Sequence, residues 1–521
     1  GQNDKINRNF FLISARAHRP ILATPRGKIP NHSSPLPPPM DNSPASQQRF
    51  ARDVLIASAA NLLRSLRNLI LIPLIAGHLS LAHYGEWDLL AVAIAFFIPW
   101  ITFSLNSALL RFLPGCDDAT VREGFYSIFF FVLISSATAG LALWALAAPL
   151  STIAELAPLH TNAPAIASVL VCSSLLGLVQ SYFRAFRLML GHSALSLAQH
   201  FGEILLIAYL LQGGSPLTDA LWSLAGTRGL LTAIGLARIV AHRGFAWPRF
   251  THLRGYLAFA IPLIPNSLFY RLYDSADKFF LYAFIGSAAV GGYAAAYIAG
   301  SLFTTLASPI HTVLLPAMAT LWNQDKREEI APYLARTIRL SALLTFPALA
   351  GVFILADPLL TLLLHEEAAA ATQYYQLLAV SFILFGFGIP FGDLMFTAGQ
   401  SRQLFFLNGS LALVNLLLNV LMIPRLGILG AVISTLACHT AYTVATGLMA
   451  RASVAYSIPW RALMRIGFAA TAMGIALHQL FGPTPQTLLL PILSGIGLYT
   501  GLLFALRELS KEDFDFFAAL F

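Results

Sequence analysis

The chain has 521 residues, 57% of them hydrophobic and 11% charged, and its mean hydropathy is +0.70. Soluble domains carry about 25% charged residues, so this composition argues against a soluble enzyme or binding module and for an all-α polytopic membrane protein. The net charge of +8 sits in short gaps between apolar stretches, which reads as orientation in a bilayer and not as a nucleic-acid surface. Cys116, Cys172 and Cys438 show neither paired nor metal-type spacing, so no disulfide framework and no metal site are expected.

Residues 1–50 are basic and rich in proline (Pro30, Pro35, Pro37, Pro38, Pro39, Pro44) and read as a disordered segment. Their apolar cluster, Phe10 to Ile13, is too short for a signal-peptide core. Met40 stands just ahead of the first apolar stretch and is read as the native start, with residues 1–39 as an upstream extension.

Spans of about 20 mostly apolar residues cross a bilayer. They fall near 54–76, 87–110, 123–147, 163–187, 193–212, 217–240, 255–284, 288–320, 333–356, 372–397, 402–424, 427–450, 461–481 and 486–507, about fourteen transmembrane helices. Alternate gaps carry the arginines and lysines: Arg49 and Arg52, Arg122, Arg184 and Arg187, Arg243 to Arg254, Lys326 to Arg336, Arg402, Arg451 to Arg461, and Arg507 with Lys511. The opposite gaps (77–86, 148–162, 213–216, 285–287, 357–371, 425–426, 482–485) hold one basic residue, Arg425. The alternation makes the basic gaps cytoplasmic and puts both termini on that side.

A repeat runs through the chain. Gly77 to Tyr84 recurs as Gly286 to Tyr293 at an offset of 209, and Gly191 recurs as Gly399 at 208. The offset divides the protein into two like-oriented six-helix lobes, 51–243 and 250–451, followed by two C-terminal helices in 459–508 and a cytoplasmic tail, 509–521. In parallel repeats of this kind substrate sites lie at the interface of the halves.

Several charges fall inside spans, where one ionisable side chain costs about 2.5–3.5 kcal/mol on insertion scales. Arg64 and Arg67 lie three apart on one face of the first helix, near mid-depth. Glu203 is in the fifth, Arg228 in the sixth, and Arg271, Asp274, Asp277 and Lys278 in the seventh. One reading is internal pairing: Arg271 with Asp274 or Asp277, Glu203 with an arginine, and Lys278 as a structural partner. The first helix offers no acid of its own, which favours a functional role for Arg64 and Arg67. Among weaker features, Pro99, Pro262, Pro265 and the Gly386–Gly392 cluster predict bends. Asn415 and Asn419 predict bonds between helices, and Trp87, Trp100, Trp247 and Trp460 an interfacial belt.

Three stretches carry a family resemblance. They are Pro73 to Trp87 running on to Arg111–Pro114, Ile261–Pro262 with Asp277–Lys278 and Val290 to Tyr297, and Asn415 to Asn419 with Ile423–Pro424 and Gly427 to Ala431. Together they resemble the polysaccharide transporters, the Wzx-type flippases of the multidrug/oligosaccharidyl-lipid/polysaccharide exporter superfamily, over residues 50–510. Arg228 has no counterpart in that pattern. The resemblance implies a transporter and not an enzyme, without a cofactor, in the bacterial cytoplasmic membrane. It would move an undecaprenyl-diphosphate-linked oligosaccharide to the periplasmic leaflet by alternating access, for surface polysaccharide biosynthesis. Arg64, Arg67, Arg228 and Arg271 would then hold the diphosphate and sugar, since a guanidinium donates two hydrogen bonds at once to a phosphate. Glu203, Asp274 and Asp277 would carry a proton or sodium ion, and a glycan polymerase is an expected partner. Three alternatives stay open: a lipid II flippase, a cation-coupled drug exporter, and a membrane glycan polymerase or ligase. The last needs a catalytic outer loop; the loop at 357–371, with Asp357, His365, Glu366 and Glu367, is short and reads as solvated.

Overall fold

The structure, a computed structural model, describes residues 67–153, 157–364, 369–482 and 488–509. The Pro-rich segment, Met40, Arg64, residues 365–367 and the tail from 510 therefore lie outside the described residues. Every regular element among those described is helical. The first, α1, occupies 67–78. It is followed by α2 (Leu81–Ile101), α3 (Leu105–Phe112), α4 (Asp118–Ile153), α5 (Ala157–Ala185), α6 (Met189–Gln212), α7 (Leu217–Arg243) and α8 (Leu253–Ala260). Then come α9 (Ile264–Phe284), α10 (Ser287–Asn323), α11 (Arg327–Leu364), α12 (Ala369–Thr397), α13 (Ser401–Leu426), α14 (Ile428–Ala450), α15 (Trp460–Phe481) and α16 (Leu489–Ala505).

Among the described residues, ten helices are long and apolar enough to cross a membrane: α2, α4 to α7 and α10 to α14. The chain is thus an all-α, multi-pass membrane protein. The other expected spans fall on helices that length and apolarity alone do not select. The described part of α1 is short, α9 carries four charges (Arg271, Asp274, Asp277, Lys278), α15 carries Arg461 and Arg465, and α16 has 17 residues.

Two expected helices are broken. The span at 87–110 divides into α2 and α3, because Phe103 and Ser104 take left-handed backbone angles (φ 50° and 52°) just beyond Pro99. Proline has no amide hydrogen to donate to the preceding turn and crowds it. The span at 255–284 divides at a 3-10 turn, Ile261–Leu263, which contains Pro262; Pro265 opens α9. The span expected at 333–356 is instead the 38-residue α11. At 1.5 Å per residue it runs about 57 Å, longer than the hydrocarbon layer.

Contacts between connecting segments define two ends of the bundle. At one end Arg243 pairs with Asp118, and Arg122 Nη1 donates to Arg243 O at 3.3 Å. The Phe250 amide there donates to Ser127 Oγ at 3.0 Å, Gln400 Nε2 to Ser453 Oγ at 3.0 Å, and Arg339 Nε to Glu508 Oε1 at 2.9 Å. These are the basic gaps. At the other end Thr218 Oγ1 donates to Asn162 Oδ1 at 2.7 Å, and the start of α2 (Leu81, Gly85) meets the start of α10 (Ser287, Gly291).

The apolar cores differ between these ends. One core joins α1 and α2 to α9, α10 and α12 through Leu71, Ile75, Tyr84, Trp87, Leu281, Tyr293 and Phe382. Toward the basic end the cores are separate. One packs α3, α4, α5 and α7 around Phe125, Leu178 and Tyr182; the other packs α10, α11, α12 and α14 around Met318, Leu334 and Leu394. A further core seats α15 and α16 on α11 through Met473, Leu477 and Tyr499. Trp87 is thus a core residue, only 6% exposed, and not part of an interfacial belt. Asn419 donates to Asn415 Oδ1 at 2.9 Å along α13 itself, while Asn415 also meets Cys438 of α14, a link between helices as expected.

Candidate functional site

Charge buried in an apolar bundle needs a partner within reach, and tracing the partners leads to one cavity. It measures about 450 Å³ and is lined by α1, α2, α7, α9, α10, α12 and α14.

One wall is a network around Glu203. Its carboxylate, fully buried on α6, accepts from Arg67 Nη2 at 2.5 Å and from Arg228 Nε at 2.8 Å. Gln199 Nε2 adds a third donor at 3.2 Å and itself accepts from Gln180 at 3.1 Å. Arg228 Nη1 donates to Ser173 Oγ at 2.6 Å, and Arg67 Nη1 to Asn68 Oδ1 at 3.3 Å. Arg67 Nε has no hydrogen-bond partner among the described residues. Arg67, Asn68 and Arg228 line the cavity. The acid missing from the first helix is therefore supplied by α6, 136 positions away. The internal-pairing reading of Glu203 with an arginine is thus met, with Arg67 and Arg228 both as its partners.

The opposite wall is α9 with its neighbours. Lys278 Nζ pairs with Asp88 Oδ2 on α2 at 2.7 Å and lies 5.2 Å from the ring centre of Tyr297. Asp274 Oδ1 accepts from the Tyr297 hydroxyl at 2.8 Å. Asp277, buried behind the wall, accepts from the Tyr293 hydroxyl and from the Lys278 amide. Arg271 lines the cavity with its side chain exposed and makes no ion pair among the described residues. It pairs with neither Asp274 nor Asp277, contrary to the internal-pairing reading.

Asp88 is the acid that sequence reasoning missed. It stands in the second position of an expected span, where a carboxylate reads as interfacial. Counting it, the cavity lining sets four cations (Arg67, Arg228, Arg271, Lys278) against two carboxylates (Asp88, Asp274), with Glu203 and Asp277 buried directly behind it. The lining itself is cationic, the two acids behind it bring the count to balance, and Arg271 is the lining cation that no carboxylate holds among the described residues. Seen from Arg271, the cavity offers one guanidinium that no carboxylate holds among the described residues, beside two that Glu203 holds. Such a set suits a mobile anion that competes with Glu203.

Comparisons with known proteins agree with this architecture. A family model described as polysaccharide biosynthesis protein matches residues 74–373. The chain is 21% identical over 235 residues to a probable low-salt glycan biosynthesis flippase of Haloferax volcanii, covering 45% of this chain and 49% of that protein. It is 23% identical over 248 residues to another probable flippase of the same organism, covering 46% and 52%. It is 28% identical over 140 residues to a lipopolysaccharide biosynthesis protein of Escherichia coli, covering 27% and 28%. The chain thus spans about half the length, or less, of the curated relatives it matches. Among solved structures, a lipid II flippase in an inward closed conformation superposes with a TM-score of 0.73 at 13% identity, covering 87% of this chain and 98% of that one. An inward-facing multidrug resistance transporter superposes at 0.59 with 14% identity, covering 77% and 94%.

Proposed function

We propose, given that this chain belongs to the polysaccharide biosynthesis protein family, that it is a flippase for a lipid-linked oligosaccharide. The substrate is a glycan on a polyprenyl diphosphate, in bacteria undecaprenyl diphosphate, carried across the cytoplasmic membrane for surface polysaccharide biosynthesis. The observation that carries this reading is the cavity enclosed by both sets of helices, in which Arg67, Arg228 and Arg271, the last without an ion pair among the described residues, face one space. A diphosphate is the anion such forks bind best. Curated relatives named as flippases point the same way.

The protein acts by alternating access between two like-oriented lobes, 51–243 and 250–451. The shared core at one end and the separate cores at the basic end describe a molecule closed on the weakly charged side. By the positive-inside rule the basic end is cytoplasmic, as are both termini, so the cavity faces the side where the lipid-linked glycan is made. On binding, the diphosphate engages Arg271 and competes with Glu203 for Arg67 and Arg228. A released Glu203, in a dry site, takes up a proton or sodium ion, and this couples transport to an ion gradient. Asp274 and Asp277 are further carboxylates on which the ion travels. The lipid tail stays in the bilayer, and a glycan polymerase receives the product. A drug exporter for organic cations would need an acidic excess, which the cavity lacks.

The reading is tested with purified protein in proteoliposomes loaded with fluorescent undecaprenyl-diphosphate N-acetylglucosamine in one leaflet. Wild type speeds its appearance in the other leaflet, and Arg271→Ala slows it at least tenfold, on the scale of one charge-assisted contact (about 1.5–3 kcal/mol). Equal rates with and without protein sink the proposal.

A further inference from the structure

The cavity has a second face that the charges do not explain. Tyr273 on α9, Phe385 on α12 and His439 on α14 line it together. The His439 ring stacks on Phe385 at 4.6 Å with a 27° tilt, and Tyr273 lies 5.6 Å from His439 and 6.3 Å from Phe385. His439 is fixed edge-on by Ser381, whose hydroxyl lies 2.7 Å from Nδ1. Tyr273 and Phe385 thus present aromatic surface to a space whose other wall is polar, with His439, only 4% exposed, packed behind them as backing.

Ordinary core packing does not account for it. Tyr273 and Phe385 are partly exposed within the cavity and belong to none of the four apolar cores among the described residues. Beside them Ser301 and Thr304 on α10 also line the space. Each spends its hydroxyl hydrogen on a carbonyl of its own helix, at 2.8 and 2.7 Å, and keeps its oxygen as an acceptor. Flat aromatic faces with hydroxyl acceptors at their margin match a pyranose ring. Its axial C–H groups carry the partial positive charge that the negative face of an aromatic ring attracts, and its hydroxyls donate to the acceptors.

We infer that Tyr273 and Phe385, backed by the buried His439, form the binding platform for the first sugar of the transported glycan, beside the diphosphate on Arg271. The inference rests on the flippase reading and assigns its substrate two subsites. Arg271 and Tyr273 come from the same helix and both line the cavity, so the diphosphate on the guanidinium and the sugar on the rings share one space. The platform senses the presence of a sugar, and the arginines sense the lipid diphosphate alone. The cavity therefore selects loaded carrier over bare carrier.

The experiment compares binding of undecaprenyl diphosphate and of undecaprenyl-diphosphate N-acetylglucosamine to the full chain in nanodiscs. Wild type is expected to prefer the glycosylated lipid by about tenfold, the scale of one aromatic stacking contact. Tyr273→Ala and Phe385→Ala bring that ratio near one and leave the affinity for bare diphosphate unchanged. Phe385→Leu keeps apolar volume while removing the ring face, and it loses the ratio too, so a folding defect in the alanine variants does not decide the matter. Arg271→Ala weakens both lipids by the same factor. A wild-type ratio near one, or platform variants that weaken both lipids equally, overturns the platform and leaves the flippase reading standing. Failure of wild type to bind either lipid overturns both. Binding of ethidium that the platform variants abolish also overturns the inference, because the rings would then serve a cation.

Discussion

Lys278 on α9 and Asp88 on α2 are joined at 2.7 Å, with side chains only 6% and 12% exposed. The pair links a helix of the first half to one of the second, near the end where the two halves share a core. Breaking a buried pair by removing one partner is destabilising by about 3–5 kcal/mol, because the other charge stays buried and alone. Lys278→Met and Asp88→Asn are each expected to lower the thermal midpoint in detergent by that scale. The double variant recovers most of it, since both charges are then gone. Additive losses in the double-mutant cycle would show that the two side chains do not act as a pair.

Glu203 gives the opposite kind of prediction. It holds two guanidiniums through its own carboxylate oxygens, so it occupies the place a transported anion would take. Glu203→Gln keeps the shape and withdraws the competing charge. Binding of bare undecaprenyl diphosphate should tighten by about tenfold, with a steeper dependence on salt, and transport should lose its coupling to the ion gradient. Weaker binding in Glu203→Gln, measured in the same nanodiscs, would assign the carboxylate to positioning the arginines and not to competing with substrate.

Arg67 and Arg271 should separate stability from transport. Arg67→Ala orphans one side of buried Glu203 and is expected to cost about 3–5 kcal/mol as well as activity. Arg271 makes no ion pair among the described residues, so Arg271→Ala should unfold at the wild-type temperature and still lose transport. Arg271→Lys restores the charge without the fork and should recover activity only in part. Thermal unfolding and the proteoliposome assay on the same preparations decide it. A large fall in the midpoint of Arg271→Ala would place this arginine in the structure and not in the substrate path.

The membrane bundle is legible in the sequence because it rests on composition along the chain, where each residue speaks for itself. The buried charges of the first, fifth, sixth and seventh spans were equally visible, since an ionisable residue in an apolar stretch is costly wherever it points. Their pairing was legible only in part: an arginine for Glu203 is readable, but not which one, nor the partner of Lys278. Arg67 and Glu203 are 136 positions apart, and Asp88 sits where a carboxylate passes for interfacial. The aromatic platform left no trace, because Tyr273, Phe385 and His439 come from three helices and aromatic residues are unremarkable in any of them. Pro99 hinted at the break between α2 and α3, but the left-handed angles it precedes belong to Phe103 and Ser104, residues with no turn signature. Local chemistry was thus legible, and whatever depended on which helix faces which was not.

The crossing of α2 and α10 tests the closed end directly. A methyl group on Gly85 would lie 1.9 Å from Ser287 O and 2.8 Å from Gly291 N, and one on Gly291 would lie 2.3 Å from Leu81 O. In each case the obstacle is backbone, which cannot turn aside as a side chain can. Gly85→Ala and Gly291→Ala should therefore push the two helices apart, at about 1–3 kcal/mol each, and bias the protein toward opening at that end. Gly292 is the internal control: its added methyl would meet only Leu81 Cδ2, at 3.9 Å, so Gly292→Ala should behave as wild type. A cysteine placed at Ser287 and probed with a membrane-impermeant maleimide reads the outcome. Labelling should rise in the Gly85 and Gly291 variants and stay low with Gly292→Ala. Equal labelling in all three would mean that the glycine contact does not hold this end shut.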